Sequence, residues 1–517
     1  MNSSVVREKF FQYFKDKGHN IIPSASVINE SDKNLMFTNA GMNQFRNIFL
    51  GNQESKFSRV ANSQKCLRVS GKHNDLEEVG VDTYHHTFFE MLGNWSFDDY
   101  FKKEIIDWSF DLITNIYGIK KEDIYVSVFK GSKEDNLEFD KEAFDEWKKF
   151  FSEERIISGN KKDNFWEMGD VGPCGPCSEI HIDLRPESEK KKIKGADLVN
   201  KDHPQVVEIW NLVFIQYNRK IDGSLIKLDK QYVDTGMGLE RLCMALQKKE
   251  STYDTDLFKE IIKKIEDISN KKYLSGDKNI DVAIRVISDH IRALIFTISD
   301  GQIPSNNGPG YVIRRILRRA VRYGYTNLNI KTPFLYELAD IVISQYLTIY
   351  PDLENQSKYI SSLIHEEEKG FLKTLNQGLS LINQIIESNP NDKKISGEDS
   401  FKLYDTYGFP IDLTSLIASE NDFQVDIDGF NKHMNVQKSR SKSTSNEDVK
   451  EWVIVNETSS KNIFKGYDHY ELESKVFKYR ECITSEGETK YHLVTNETPF
   501  YPEGGGQIGD TGEIISN

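Results

Sequence analysis

The sequence predicts an α+β fold: an antiparallel β-sheet flanked by helices, then an α-helical domain and the start of a β-rich domain. Changes in apolar periodicity along the chain lead to this prediction. Residues 1–245 mix strand-like runs with helical patterns, residues 246–451 show mainly helical spacing, and strand patterns return in residues 452–517. We therefore expect three domains with these boundaries and see no internal repeat.

Elements of the first domain can be assigned from their apolar positions. Val6, Phe10 and Phe14 share one face of a helix, because they are four residues apart. Strands are predicted at residues 123–129 and 205–218, where apolar and polar residues alternate.

Longer helical patterns dominate the second domain. Helices are predicted for residues 281–299, 311–323 and 358–388. Residues 437–450 are rich in Ser and charge and indicate a linker before the last domain.

Composition narrows the class of protein. No apolar run is long enough to span a bilayer, and the N-terminus lacks the apolar segment and cleavage site of a signal peptide. Five scattered cysteines, an odd number, indicate a reducing compartment. We therefore expect a cytoplasmic protein, and the sequence leaves its oligomeric state open.

Basic residues are concentrated in one predicted helix, although the net charge is −14. Residues 311–323 contain five arginines and no acidic residue. Arg314, Arg318 and Arg322 recur at every fourth position and form a stripe on a helix. A solvated basic face is the general alternative, but the lack of acidic residues within the run favours contact with nucleic-acid phosphates.

The most informative stretch is residues 233–241, with the sequence VDTGMGLER. It predicts a strand ending near Asp234, a turn containing Gly236 and Gly238, and a helix whose first turn carries Arg241. Glycines allow close approach of a ligand, and helix N-termini attract anions. An Asp and an Arg at opposite ends suit a ligand with one positive and one negative end, although a G-x-G turn alone is weak evidence.

A second constellation lies upstream, in residues 64–77 and 85–94. It predicts two strands joined by a polar loop, with Arg68 on the first and Phe88 and Phe89 on the second. A cation and aromatic rings together can hold the phosphate and the base of a nucleotide. The alternative is an ordinary hairpin with two core phenylalanines.

These two stretches resemble the third and second signature motifs of class II aminoacyl-tRNA synthetases, in the form found in the alanine-specific family. Further stretches that resemble this family are residues 35–45, 169–180 and 208–214, and the resemblance covers essentially the whole chain. Ser70 stands where many class II enzymes have Glu; the alanine-specific family also lacks that Glu.

The resemblance implies a ligase that forms alanyl-adenylate and pyrophosphate from L-alanine and ATP, then transfers alanine to the 3′ end of tRNA(Ala). Mg²⁺ is implied as the ion that bridges the phosphates, and zinc is not expected in this portion. The editing domain's zinc pattern is not found here, so we expect the editing site to be absent from this chain. Alternatives are a paralogue that uses another acceptor and a non-catalytic RNA-binding relative.

For the ATP site, the resemblance assigns Arg68 to the α-phosphate and the alanine carboxylate, and Arg241 to the γ-phosphate. Either Phe88 or Phe89 stacks on adenine, and Glu77 is a weaker candidate for the adenine or ribose edge. Gly236 and Gly238 complete the expected ATP-binding set.

For alanine, Asp234 is the expected partner of the ammonium group. The resemblance assigns Trp166 and Asn211 to the side-chain pocket, with Val213 as an apolar neighbour. A plain core position is the alternative for Trp166 and the favoured one for Val213. Such a pocket excludes large side chains but rejects glycine and serine only weakly.

For tRNA, the family reads a G·U pair in the acceptor stem with an Asn and an Asp, which match Asn306 and Asp405. A helix cap and a turn residue are the respective alternatives. Cys174 and Cys177 form a C-x-x-C pattern that lacks a second pair of metal ligands at usual spacing, and the resemblance makes this stretch a wall of the site.

Overall fold

The chain divides into two compact units, residues 1–383 with 407–413 and residues 384–406 with 414–517. The predicted boundaries at 245 and 451 both fall inside these units, so the division into three domains stays a prediction. The computed structural model describes residues 1–29, 35–70, 73–169, 171–388, 392–443, 448–456, 462–483, 489–501 and 509–515. Gly71, Lys72 and Asp170 of the motif stretches lie outside the described residues.

The first unit is built on one large sheet and a set of helices. Its strands are β1 (Asn20–Ile21), β2 (Arg59–Leu67), β3 (Val69–Ser70), β4 (His73–Asn74), β5 (Phe88–Phe97), β6 (Ile124–Phe129), β7 (Ile156–Gly159), β8 (Phe165–Glu167), β9 (Gly172–Asp183), β10 (Val206–Arg219) and β11 (Leu225–Gly238). Its helices are α1 (Ser3–Asp16), α2 (Arg46–Phe49), α3 (Lys102–Asp111), α4 (Lys141–Trp147), α5 (Lys161–Asn164), α6 (Glu187–Lys190), α7 (Leu239–Leu246), α8 (Asp256–Ser269), α9 (Lys278–Ser299), α10 (Gly308–Asn327), α11 (Leu335–Tyr346) and α12 (Leu353–Ser388), the last of which ends in the second unit.

The sheet has nine strands in the order β1-β2-β5-β11-β10-β9-β6-β7, with β8 added beside β9. Its central strands pair antiparallel, whereas β1 with β2 and β6 with β7 pair parallel. The predicted α+β class is therefore confirmed, and the predicted antiparallel sheet is mixed at its two edges. All positions of β9 are buried, which shows that this strand is covered on both faces.

The elements predicted from periodicity are present with small shifts at their ends. The first helix is α1, in which Val6, Phe10 and Phe14 are fully buried. The predicted strands correspond to β6 and β10, and the three predicted helices correspond to α9, α10 and α12.

Helix α9 has a continuous run of buried residues from Val286 to Ile298, including charged side chains. A helix buried on most of its circumference must satisfy its polar groups internally. Because α9 is surrounded by other elements, its side chains contact several residues next to the site that is described below. No helix among the described residues combines the length and the apolar character needed to cross a membrane.

The second unit contains short strands and helices. Its strands are β12 (Lys394–Ile395), β13 (Gln424–Val425), β14 (Asp448–Val449), β15 (Val453–Ile454), β16 (Ile463–Phe464), β17 (Val476–Ile483), β18 (Thr489–Thr495) and β19 (Glu497–Thr498). Its helices are α13 (Gly397–Tyr407), α14 (Ile411–Glu420) and α15 (Ile427–Ser443), of which α13 ends and α14 begins in the first unit. Strand β17 pairs with β14, β15 and β18, so the predicted return of strands after residue 452 is present. The predicted linker at 437–450 begins inside α15, which extends to Ser443, and its residues 444–447 lie outside the described residues.

Close packing of β9 against β10 gives a first prediction. A Cβ atom at Gly175 would lie 1.9 Å from the backbone oxygen of Phe214, which cannot move without breaking strand pairing. We expect Gly175→Ala to lower the free energy of unfolding by about 1–3 kcal/mol. Gly370→Ala is the matched control: it lies exposed in α12 with open space around it, and we expect stabilisation of about 0.5–1 kcal/mol. Equal effects in chemical denaturation would contradict this account of the packing.

Candidate active site

A pocket lies on the sheet where β2, β5, β11, β10 and β9 are neighbours. It gathers side chains from both motif stretches and from the short helix α5. Among the residues predicted for the site, those that line it are Arg68, Phe89, Trp166, Asn211, Val213, Asp234, Gly236, Gly238 and Arg241. Tertiary structure thus brings together residues that are up to 173 positions apart in the chain, from Arg68 to Arg241.

Arg68 and Phe89 form one wall of the pocket. Antiparallel pairing of β2 with β5 sets Cys66 opposite Phe89, and the Arg68 backbone N–H donates to the Thr87 carbonyl at 2.8 Å. The Arg68 guanidinium carbon lies 5.0 Å from the centre of the Phe89 ring. Its Nε donates to the Asn39 carbonyl at 3.1 Å, which orients the guanidinium group. The Arg68 guanidinium group and the half-buried Phe89 ring therefore face the same cavity.

Phe88 and Glu77 occupy different places. Phe88 is fully buried and stacks on Phe296 of α9 with ring centres 4.4 Å apart, so its ring belongs to the core. Glu77 is exposed in the turn after β4 and does not line the pocket. Alternation of side chains along β5 explains why only one of the two adjacent phenylalanines faces the cavity.

Asp234 forms the floor of the pocket from β11. Its carboxylate accepts a hydrogen bond of 2.6 Å from Trp95 Nε1, on the paired strand β5. The residue is only 6% exposed, and burial raises the pKa of its carboxyl group to about 7 although the Trp95 bond acts in the opposite direction. Burial without a cation disfavours the charged form, so a ligand ammonium group would be strongly preferred here.

The two glycines of the motif serve different needs. A Cβ atom at Gly236 would lie 2.6 Å from Met91 Sδ, so this glycine leaves room for a side chain that lines the pocket. Gly238 has an ordinary φ of −66° and would accommodate a Cβ with contacts no shorter than 3.8 Å. Neither residue uses the left-handed backbone region, so the turn depends on space rather than on unusual dihedral angles.

Arg241 lies in the first turn of α7, which begins directly after β11. Its Nη1 donates to the Glu208 carbonyl at 3.2 Å, and its guanidinium carbon lies 5.1 Å from the centre of the Tyr84 ring. The cation and the helix N-terminus therefore lie at the same side of the pocket, an arrangement suited to an anion.

Trp166, Asn211, Val213 and Cys177 also line the pocket. Val213 pairs with Cys177 and with Asp234 on the two neighbouring strands, so these three residues are side by side. Asn211 Oδ1 is buried and has no hydrogen-bond partner among the described residues. Buried acceptors are normally satisfied, so this atom is a natural partner for a donor on a ligand.

The carboxylates of Glu179 and Glu208 also line the pocket, and the sequence analysis did not predict them. Burial and then the charge of Glu179 raise the pKa of Glu208, whereas Arg241 acts in the opposite direction. Carboxylate oxygens suit Mg²⁺, which uses one or two such ligands together with phosphate oxygens. The described residues contain no group of three or more His, Cys, Asp and Glu arranged for a metal.

Sequence reasoning also missed His85, Asp75 and Tyr84, which line the pocket beside the arginines. His85 Nδ1 bonds the Asp82 carboxylate, and Asp82 also accepts the backbone N–H groups of Tyr84 and His85. The two adjacent histidines in a polar loop, His85 and His86, could have indicated a functional site. The sequence does not show that this loop lines the same pocket as Arg68 and Arg241.

The arginine helix α10 makes many contacts within the first unit. Arg314 pairs with Glu367 at 2.7 Å and bonds Asn306 Oδ1, while Arg318 donates to the Gly408 carbonyl at 2.9 Å. Arg322 is only 4% exposed and packs on the Tyr323 ring at 4.6 Å. The arginine run itself contains no acidic residue, but the acidic partner of Arg314 lies in another helix: Glu367 belongs to α12.

Asn306 precedes the N-cap of α10, which is Asn307, and its side chain is exposed. Asp405 belongs to the second unit, where it is exposed near the end of α13. In the C-x-x-C stretch, Cys174 packs with Phe129 and Phe165, and burial raises the pKa of its thiol to about 12.

Residues 5–517 match the family described as tRNA synthetases class II (A), and the chain belongs to this family. It is similar to the alanine–tRNA ligase of Cytophaga hutchinsonii, with 55% identity over 517 residues, which are 100% of this chain and 59% of that protein. The alanine–tRNA ligase of Christiangramia forsetii is 54% identical over 518 residues, again covering 59% of its own length. This chain therefore spans less than two thirds of the relatives it matches.

Among solved structures, the chain is similar to a histidyl-tRNA synthetase from S. aureus, with a TM-score of 0.29 and 9% identity over 51% of this chain and 75% of that one. A pyrrolysyl-tRNA synthetase from Desulfitobacterium hafniense gives a TM-score of 0.28 and 10% identity over 49% and 72% of the two chains. Because both TM-scores are low, the description of the fold rests on the strand pairing of this chain alone.

The raised pKa of Asp234 gives a prediction for the unliganded protein. Between an ordinary pKa of 3.8 and about 7, the folded state holds a proton that the unfolded state has lost, so this group makes stability fall as pH rises through that window. We expect Asp234→Asn to exceed the wild type in unfolding free energy by about 1–3 kcal/mol at pH 8, with the difference closing toward pH 4. Asp229→Asn, exposed on the same strand, is the control. A constant difference across pH in thermal unfolding would refute the assignment.

Proposed function

We propose that this protein is an alanine–tRNA ligase, which activates L-alanine with ATP and transfers the alanyl group to the 3′ end of tRNA(Ala). The observation that carries the proposal is a single pocket lined by a buried carboxylate without a cationic partner among the described residues, Asp234, and by two guanidinium groups, Arg68 and Arg241. A substrate with an ammonium group, bound next to a triphosphate, has charged groups that match these side chains. The names of the relatives, at 54–55% identity, support alanine as the amino acid.

In this proposal Asp234 binds the alanine ammonium group, with the unpartnered Asn211 Oδ1 as a second acceptor. The methyl group of alanine faces Trp166 and Val213. These two side chains leave space for a methyl group and exclude larger amino-acid side chains by steric clash. An ammonium group beside Asp234 would restore the charged carboxylate that burial disfavours. Glycine and serine differ too little in size to be rejected strongly, and we propose that both are activated weakly.

ATP occupies the other half of the pocket. Phe89 stacks on adenine, because its ring lines the cavity whereas the Phe88 ring is in the core. Arg68 contacts the α-phosphate and the alanine carboxylate, and Arg241 contacts the γ-phosphate at the start of α7. Glu77 remains a weaker candidate, since it lies in an exposed turn. His85 adds a further donor beside the arginines.

Glu208 and Glu179 are the residues that would hold Mg²⁺, which supplies charge neutralisation on the phosphates when bound. The protein itself contributes alignment and electrostatic stabilisation. Arg68 brings the alanine carboxylate to the α-phosphate, and the guanidinium groups stabilise the charge that develops on phosphate oxygens and on the departing pyrophosphate. No covalent intermediate with the enzyme is needed.

For tRNA, we propose that Asn306 and Asp405 read the G·U pair, and that Arg314, Arg318 and Arg322 of α10 contribute positive charge toward phosphates. Exposure of Asn306 and Asp405 supports their part of this proposal. Arg314 would share its charge between Glu367 and RNA, and Arg322 would act from a buried position. We also propose a cytoplasmic location, in keeping with cysteines that form no disulfide.

Amino-acid activation is tested by ATP–pyrophosphate exchange with each amino acid separately. We expect exchange with alanine, weaker exchange with serine and glycine by about 10–200-fold, and a loss of at least about 100-fold in kcat/KM for alanine in Asp234→Ala. Asp229→Ala, on the exposed part of the same strand, is the control. No exchange with any amino acid would favour the non-catalytic RNA-binding alternative, and exchange without charging of tRNA would favour a paralogue with another acceptor.

Recognition of tRNA is tested by aminoacylation of tRNA(Ala) that carries either the G·U pair in its acceptor stem or a G·C pair in the same place. We expect Asn306→Ala and Asp405→Ala each to lower kcat/KM for the G·U substrate by about 10–100-fold, because each loses a contact to a base edge. The two variants should show a much smaller loss on the G·C substrate. Asn307→Ala, the exposed neighbouring residue, is the control, and equal losses on both substrates would exclude direct reading of the pair.

A further inference from the structure

Arg292 is a fully buried arginine in α9, outside every motif identified from the sequence. A buried guanidinium group is costly unless its charge and its N–H groups find partners. Two of its partners, Glu240 and Phe88, are direct neighbours in sequence of residues that line the pocket.

The first partner is Glu240, in the first turn of α7. Arg292 Nη2 bonds the Glu240 carboxylate and also donates to the Tyr346 hydroxyl at 2.9 Å. Glu240 is 1% exposed, lines the pocket, and directly precedes Arg241. Holding Glu240 therefore holds the helix turn from which Arg241 reaches the anion end of the site.

The second partner is Phe88, at the start of β5. Arg292 Nη1 donates to the Phe88 carbonyl at 3.4 Å, and its guanidinium carbon lies 5.1 Å from the centre of the Phe88 ring. Phe88 directly precedes Phe89, the ring in the pocket. One side chain thus joins the two segments that carry the adenine and γ-phosphate contacts proposed above.

Charge gives Arg292 a second role. Glu240 also accepts the Glu90 backbone N–H at 3.2 Å, and the Glu90 carboxylate has its own cation, Arg7. If Arg292 lost its charge, Glu240 would be an uncompensated carboxylate at the wall of a pocket that receives a triphosphate. Unpaired buried charges are strongly unfavourable, and this one would also repel the ligand.

We propose that Arg292 is a positioning residue for ATP: it orients Phe89 and Arg241 through Phe88 and Glu240, and it neutralises Glu240 at the pocket wall. This inference rests on the proposed alanine–tRNA ligase function. It assigns Arg292 no contact with alanine, because Asp234, Asn211 and Val213 lie on strands that Arg292 does not bond.

The experiment measures KM for ATP and KM for alanine separately in ATP–pyrophosphate exchange. We expect Arg292→Gln to raise KM for ATP at least about tenfold while KM for alanine stays within about twofold. Arg292→Lys keeps the charge but not the fork-shaped donor set, so we expect a smaller rise in KM for ATP. Arg285→Lys is the matched control on the same helix, since Arg285 bonds Tyr273 and does not line the pocket.

The double variant Arg292→Gln/Glu240→Gln separates neutralisation from simple loss of structure. It removes both charges, so we expect it to recover most of the ATP affinity lost in Arg292→Gln. A structural role alone would lower the thermal midpoint and the active fraction without changing the ratio of the two KM values. Equal rises in both KM values, or no recovery in the double variant, would overturn the proposal. Absence of exchange in the wild type would instead reject the proposed function itself.

Discussion

Antiparallel pairing of β5, β11 and β10 fixes the register on which every other contact of the pocket depends. It sets Asp234 between Trp95 on one side and Val213 on the other, and it sets Gly236 beside Asn211. A slip of one residue would turn each of these side chains to the opposite face of the sheet. Burial on both faces specifies this register strongly, so residues that are far apart in the chain meet reproducibly in one cavity.

Buried carboxylates around the pocket differ in whether they have a cationic partner. Those that hold the wall of the pocket have one, whereas the carboxylate proposed to bind the ligand does not. Glu90 and Glu240 each have an arginine of their own, Arg7 and Arg292. Asp234 has only the indole N–H of Trp95 and no cationic partner among the described residues. A carboxylate left without a cation is unfavourable in the empty protein, and that imbalance favours a cationic ligand over water.

The helices after β11 are closely joined to the sheet within the first unit. Helix α9 supplies Phe296 to the stack on Phe88, and Asp289 accepts from the Thr87 backbone N–H at 3.0 Å. Helix α10 reaches the end of the same hairpin through Arg315, which donates to the Val69 carbonyl at 3.2 Å. Helices α9 and α10 thus hold the segment that carries Arg68 and Phe89. The predicted domain boundary at residue 245 separates these two helices from the sheet that they contact.

The sequence by itself determined the fold class and the main helices and strands, because apolar periodicity is a local property of the chain. The nine predicted residues that line the pocket came from the two motif stretches and from the family resemblance. Only the tertiary structure decided that Phe89 rather than Phe88 faces the cavity, that Glu77 lies outside it, and that Glu367 pairs with Arg314. The physical reason is that strand register, the packing of α9 and pairing between distant segments decide which way a side chain points. Arg292 shows the same limit most clearly: its role depends entirely on partners from distant segments, and no local pattern in α9 indicates it.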